Sequence, residues 1–238
     1  MEAGRSRVLE WLYPRRCPAC GDIVKPRGGL ICPECRKLFS YVKEPTCMHC
    51  GKEILEPEME DCYDCAKRGR SFDGGVALLN YDAAAKKSIQ GFKYGGRPEY
   101  ADFYAEELVK RYGDRLRRWR PQAVFPVPAH KSRERFRGYN QAEVLAERIG
   151  EKLRLPVWES VLIRKKKTTA QKELNAEARQ RNLEQAMEVT GTLQGLRRIL
   201  LVDDIFTTGS TAEACARVLK QAGAEKVYLA SVCIGKNQ

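Results

Sequence analysis

Two adjacent carboxylates, Asp203 and Asp204, close the apolar run Ile199 to Val202, and the loop Thr207, Thr208, Gly209, Ser210 and Thr211 follows shortly after them. The loop opens a helix-like stretch. The first turn of a helix presents unpaired N–H groups and partial positive charge, which together make a seat for phosphate. Gly209 lets the backbone approach an anion closely, and the hydroxyls of Thr207, Thr208, Ser210 and Thr211 add donors. Two carboxylates at a strand end can accept from the vicinal hydroxyls of a sugar. Such a segment suits recognition of a ribose 5-phosphate. The plainer reading, a strand end followed by a helix cap, needs one capping side chain and leaves two mutually repelling carboxylates unexplained.

A different chemistry lies near the chain start. Of ten cysteines, eight form CxxC pairs at Cys17/Cys20, Cys32/Cys35, Cys47/Cys50 and Cys62/Cys65, repeating every 15 residues. A CxxC turn places two thiolates on one side of a knuckle, and two knuckles close a tetrahedral zinc site. Eight cysteines make two sites, and with every ligand supplied by the protein both are structural. Short hairpins favour sequential closure, Cys17, Cys20, Cys32 and Cys35 in one site and Cys47, Cys50, Cys62 and Cys65 in the other, over a cross-brace that closes longer loops. His49, inside a knuckle, reads as a turn residue. Cys215 and Cys233 sit in apolar patterns as buried thiols.

These sites require a frame. About 11 residues between cysteine pairs are too few to bury a core, so residues 1–70 are expected to fold around metal as a double zinc ribbon, after a short N-terminal helix through Val8, Leu9, Trp11 and Leu12. From residue 71 to 238 strands and helices alternate. Strands are expected at Val76–Tyr81, Ala123–Val127, Val161–Arg164, Ile199–Val202 and Lys226–Ile234. Helices are expected at Ala83–Phe92, from Tyr100 to about Tyr112, at Gln141–Leu153 and at Ser210–Ala222. This order implies an α/β fold, a mostly parallel sheet with helices on both faces, whose ligands bind at the carboxyl ends of the strands. Residues 165 to 182 are polar, basic and weakly patterned, and read as a mobile loop. The net charge of +12 falls mainly on the second segment: residues 1–70 carry 13 lysines and arginines against 11 acidic residues, and residues 71–238 carry 30 against 20. That excess favours an anionic partner, a polyphosphate or a nucleic acid. No apolar run reaches the 18 residues of a membrane helix, and the start MEAGRSRVLEWLYPRRC has too short an apolar stretch for a signal peptide, so a soluble, cytoplasmic protein is expected.

The segment VDDIFTTGST, Phe92-Lys93-Tyr94-Gly95-Gly96-Arg97, Val127-Pro128, Gly138-Tyr139-Asn140-Gln141-Ala142, and Gln171 with Arg179 and Asn182 together resemble the ComF family of competence proteins, over roughly residues 8 to 234. More closely they resemble ComFC-type members, in which a double zinc ribbon precedes a type I phosphoribosyltransferase domain. The resemblance implies binding of phosphoribosyl pyrophosphate with Mg²⁺. It makes Pro128, Ala129, His130 and Lys131 the pyrophosphate loop, and residues 164–182, including Arg164, Lys165 and Gln171, a flexible loop closing over the site. Asp203 and Asp204 would hold the ribose at the catalytic position, and Thr207 to Thr211 the 5-phosphate. Lys131, Arg133, Arg135, Arg137 and Arg164 to Lys167 are candidate cations for the leaving group, with Lys93 beside the Gly95-Gly96 turn a weaker one.

Purine-salvage relatives carry a carboxylate at the place of Thr207. A hydroxyl there cannot assist deprotonation at neutral pH, which disfavours a purine acceptor. The acceptor has no signature in the chain. The resemblance also implies a part in DNA uptake during natural transformation, with single-stranded DNA or a helicase as partner. Arg115, Arg117, Arg118, Trp119 and Arg120, an aromatic among cations, suit a nucleic-acid contact.

Overall fold

The alternating pattern forms a four-stranded, all-parallel sheet in the computed structural model, which describes residues 13–165 and 185–235. Its strands are β1 (Gly74–Asn80), β2 (Ala123–Pro126), β5 (Arg198–Phe206) and β6 (Lys226–Ile234), in the order β1-β6-β5-β2. β3 (Leu162–Arg164) and β4 (Met187–Val189) pair antiparallel outside it. The strand expected near Val161 thus exists but belongs to a separate two-stranded sheet.

Helices cover both faces, as the fold class requires. On one face lie α3 (Ala83–Tyr94), α4 (Tyr100–Arg118) and α6 (Gln141–Leu153). Their Ile89, Phe92, Tyr104, Leu108 and Leu145 pack with Val76, Leu200, Val202, Ala230 and Val232 of the sheet. The opposite face packs Ala77, Phe125, Leu201, Val227 and Leu229 against Ala214, Cys215 and Leu219 of α7 (Ser210–Gln221) and against Leu162 and Met187 of the small sheet. The caps that start two of these helices are local chemistry. Asp82 accepts from the Ala85 amide at 2.9 Å and Asn140 from the Ala142 amide at 3.1 Å, the side-chain-to-backbone bonds that favour Asp and Asn at N-caps. The buried stripe Ala142, Leu145, Ala146 and Ile149 has helical spacing.

α4 runs one and a half turns past the expected end at Tyr112. Gly113 is tolerated inside the helix because its apolar stripe continues through the fully buried Leu116, which outweighs the roughly 1 kcal/mol cost of a helical glycine. α5 (Lys131–Arg137) occupies a stretch read from the sequence only as loop and cations.

The cysteine-rich segment clasps β1, the sheet's edge strand. The first ribbon contributes Cys17, Val24, Ile31 and Phe39 to the core of the α4 face, with Phe39 stacked 5.7 Å from Phe103. Cys47, Cys50, Cys62 and Cys65 join the core of the α7 face. Between them, residues 40–42 pair with β1, where the Val42 amide donates to the Leu78 carbonyl at 3.0 Å and the Asn80 amide to Ser40 at 2.8 Å. This covers an edge that would otherwise expose unpaired backbone groups. Glycines on both sides allow the approach. A Cβ at Gly75 would stand 2.4 Å from the His49 carbonyl oxygen, and one at Gly51 2.7 Å from the Val76 Cα. Among the described residues no helix is long and apolar enough to cross a membrane.

Candidate active site and zinc centres

A cavity of about 270 Å³ opens at the carboxyl ends of β2 and β5. The chain leaves β5 for β6 on one side, whereas β2 lies on the other, so this is the crevice at which doubly wound sheets take ligands. Asp203, Asp204, Thr207 and Thr211 line it from the end of β5 and the start of α7, and Ala129 and His130 line it from the segment after β2. Arg164 reaches it from β3. Thr208, Gly209, Ser210, Lys131 and Lys165 are not among its lining residues, and Gln171 lies outside the described residues, as do Lys166, Lys167, Arg179, Asn182 and the expected N-terminal helix.

The paired carboxylates occupy successive positions of β5, and both line the cavity. Asp204, buried, forms an ion pair with Lys93 Nζ at 2.9 Å. Lys93, the weaker cation candidate by sequence, therefore sits closest to the carboxylates. Asp203 accepts from the Asp204 amide at 2.8 Å. Its carboxyl is held above the ordinary carboxylate range, first by burial and then by the Asp204 charge, with Lys93 opposing. A carboxyl whose folded pKa is raised makes the native state bind more protons than the unfolded chain, so stability falls as pH climbs from the usual carboxylate pKa toward the raised one. Asp203→Asn is accordingly expected to stabilise the protein by about 1–2 kcal/mol at pH 8, with the gain shrinking toward pH 4. Denaturant midpoints across that range check it.

Gly209 is the N-cap of α7 and takes φ +77°, a left-handed conformation that favours glycine. A Cβ there would stand 2.4 Å from the Phe206 ring. Thr208 and Ser210 hydroxyls share a hydrogen bond of 3.0 Å, and the Ser210 amide donates to Thr208 Oγ1 at 3.4 Å. On the facing wall, His130 Nδ1 accepts from the Ser132 amide at 3.2 Å, capping α5. Arg137 lines the cavity with Nη1 on Gln141 at 2.8 Å and Nη2 on the Tyr94 hydroxyl at 2.9 Å, while its buried Nε has no partner among the described residues. The cavity thus combines two carboxylates, a helix N-terminus and the cations Lys93, Arg137 and Arg164, a donor set suited to a sugar carrying more than one phosphate.

The eight cysteines gather in the sequential pairing, Cys17, Cys20, Cys32 and Cys35 in one group and Cys47, Cys50, Cys62 and Cys65 in the other. Within each group the sulfurs lie within 4.8 Å of one another. A tetrahedron with Zn–S bonds of about 2.3 Å has edges of about 3.8 Å, and Cys50 Sγ stands 3.6 Å from Cys62 Sγ. The residues fit zinc. The second group is fully buried, and hydrogen bonding from Cys50 holds the Cys47 thiol down at about 5 while Cys50 itself is pushed up. His49 pairs with Asp61 at 2.7 Å, as befits a turn residue. Cys215 and Cys233 are buried, and burial pushes both thiols up.

Comparison with known proteins agrees with the zinc-binding half and identifies relatives along most of the chain. Residues 8–66 match the family model of the double zinc ribbon domain. The chain is similar to competence protein F of Haemophilus influenzae, 32% identical over 220 residues that span 90% of this chain and 94% of that one. It is 28% identical to competence protein ComFC of Streptococcus pneumoniae over 229 residues, 89% and 96% of the two chains. The DNA utilization protein YhgH of Escherichia coli K12 is 27% identical over 211 residues, 85% and 89%. Among solved structures, the purine phosphoribosyltransferase of Pyrococcus horikoshii superposes with a TM-score of 0.37 at 18% identity, over 56% of this chain and 73% of that one.

Proposed function

The chain belongs to the ComF family of competence proteins, and from that premise we propose that its strand-end cavity binds phosphoribosyl pyrophosphate with Mg²⁺. The observation that carries the reading is the convergence in one crevice of Asp203, Asp204, Thr207 and Thr211 at the two ends of the loop that opens α7, and three cations. In this reading Asp203 and Asp204 hold the ribose hydroxyls, and the Thr207 to Thr211 loop holds the 5-phosphate. Lys93, Arg137, Arg164 and the Ala129–Lys131 segment face the pyrophosphate. Mg²⁺ neutralises the leaving pyrophosphate when bound with the donor. The cations stabilise charge that grows on the pyrophosphate as the anomeric bond breaks, which lowers the barrier for attack by an acceptor. We read residues 1–70 as the zinc-ribbon unit and residues 71–238 as the pocket-bearing unit of a cytoplasmic protein.

Calorimetric titration of phosphoribosyl pyrophosphate with Mg²⁺ into the zinc-loaded protein tests this. Saturable binding is expected, weakened at least about 100-fold in Asp203→Asn/Asp204→Asn, since each charged hydrogen-bond acceptor lost costs about 1.5–3 kcal/mol. Equal binding by the two proteins would place the donor elsewhere.

A second reading has its own observation. Lys43, Arg111, Arg115 and Arg118, with Glu44 and Asp114 among them and Arg115 paired to Glu44 at 2.8 Å, line a groove of about 610 Å³ between the ribbon and α4, and relatives named for competence and DNA utilization connect the family to DNA. This groove suits the backbone of single-stranded DNA, with a competence helicase as a further partner. Pocket and groove are separate surfaces, so the two functions are compatible.

A further inference from the structure

Arg70 connects the second cysteine group to the loop that opens α7. It follows Gly69, which ends α2 (Tyr63–Arg68), the helix that carries Cys65. Its Nε donates to Cys65 Sγ at 3.5 Å, and its Nη2 donates to the Thr208 carbonyl at 3.1 Å, 138 residues away in sequence. The guanidinium lies 5.7 Å from the Phe72 ring centroid and 5.8 Å from that of Phe206, two rings in edge contact at 6.0 Å. A Cβ on Gly209 would stand 3.1 Å from Arg70 Nη1, so the guanidinium lies against the loop itself. The residues that follow continue the attachment. The Ser71 amide donates to Glu213 in the first turn of α7 at 2.9 Å, and Asp73 pairs with Lys220 in its last turn at 2.7 Å.

We propose that Arg70 is a positioning residue that makes the shape of the α7 loop depend on zinc in the Cys47, Cys50, Cys62 and Cys65 site. A zinc-bound thiolate carries negative charge and is a strong acceptor, whereas a free thiol is a weak one, so zinc orients the guanidinium. The planar fork serves sulfur and carbonyl from two separate nitrogens held in fixed geometry, where a lysine offers one nitrogen on a flexible stem. Holding the Thr208 carbonyl fixes the direction of the amides after it, the groups that face an anion at the start of α7. Coupling of this kind is reciprocal. A ligand seated on the loop must retain zinc in the second site by the same factor by which zinc strengthens the ligand, and must leave the first site unaffected. This last step rests on the loop being the phosphate seat proposed above; the link from zinc to loop does not.

Hydrogen exchange on the full chain tests the link without any ligand. In zinc-loaded Arg70→Gln, amides 208–213 are expected to exchange about tenfold faster than in the unchanged protein, the loss of a charge-assisted bond. That range includes the Glu213 amide, which donates to the Gly209 carbonyl at 2.8 Å. Residues 141–153 and the zinc content should stay as they were, and Arg70→Lys should fall between. Unchanged exchange over 208–213 in Arg70→Gln overturns the proposal. Should Arg70→Gln fail to hold both metals, the unchanged protein decides: as a chelator strips the second site, exchange over 208–213 must rise while 141–153 holds, and a loop indifferent to that loss overturns the proposal equally. With phosphoribosyl pyrophosphate and Mg²⁺ added, one zinc of the two should be held about tenfold more tightly against a competing chelator at equilibrium in the unchanged protein and not in Arg70→Gln. If the donor has no such effect while the loop still responds to Arg70→Gln, the donor reading falls and the Arg70 link stands.

Discussion

A Cys50→Ser variant is expected to bind one zinc ion where the unchanged protein binds two, and to lose about 4–5 kcal/mol of stability or more, the range of a lost metal site. Cys50 is fully buried, 3.6 Å from Cys62, and its neighbour Gly51 lies against β1. Serine offers an oxygen where the tetrahedron needs a thiolate, and it leaves three buried thiols to take up protons. A domain is stable by only about 5–15 kcal/mol in total, so the second ribbon should open and expose the α7 face of β1. Cys20→Ser in the partly exposed first site should cost less, and Cys215→Ser should leave the metal content at two. Metal analysis paired with denaturant unfolding of the three variants checks this ordering. A Cys50→Ser protein that retains both ions and its midpoint would contradict a structural role for the second site.

Gly209→Val carries the second large effect. Its backbone sits at φ +77°, where a side chain costs about 1–2 kcal/mol, and its Cβ would enter the Phe206 ring at 2.4 Å, adding about 1–3 kcal/mol of overpacking. A loss of about 2–5 kcal/mol of stability is expected. Ligand binding should suffer more than stability, since the ring and Arg70 leave the loop no room except toward the cavity. The variant is therefore expected to be folded below about 30 °C, with both zinc ions, and to show no saturable binding of phosphoribosyl pyrophosphate. Thermal melts and the same calorimetric titration separate the two effects. Wild-type affinity in this variant would show that the loop does not seat the donor.

Local chemistry was readable from the sequence, and contacts across the fold were not. The run ending in Asp203 and Asp204, the hydroxyl loop and the sequential closure of the cysteine groups are each contained within short segments, where spacing dictates geometry. β6 and α6 have the predicted bounds because apolar periodicity and a cap coincide there. By contrast, Lys93 meets Asp204 across 111 positions and Arg70 meets Thr208 across 138, and no local pattern marks either. Arg137 was one arginine in a basic run until the fold set it on the cavity wall. β4 escaped notice because three residues, Met187–Val189, are too few for a periodic signal. The clasp on β1 was hidden for a related reason: nothing local marks Gly51 and Gly75 as partners, and only packing reveals that they let two backbones touch.

The central claim, that the crevice between β2 and β5 is the seat of the donor, is tested most directly by a crystal structure of the zinc-loaded protein with phosphoribosyl pyrophosphate and Mg²⁺. The account predicts the 5-phosphate against the amides at the start of α7, the ribose hydroxyls on Asp203 and Asp204, and the pyrophosphate toward Lys93 and Arg137. Density for the donor in the basic groove of Lys43, Arg111 and Arg115, with the crevice filled by solvent, would contradict it.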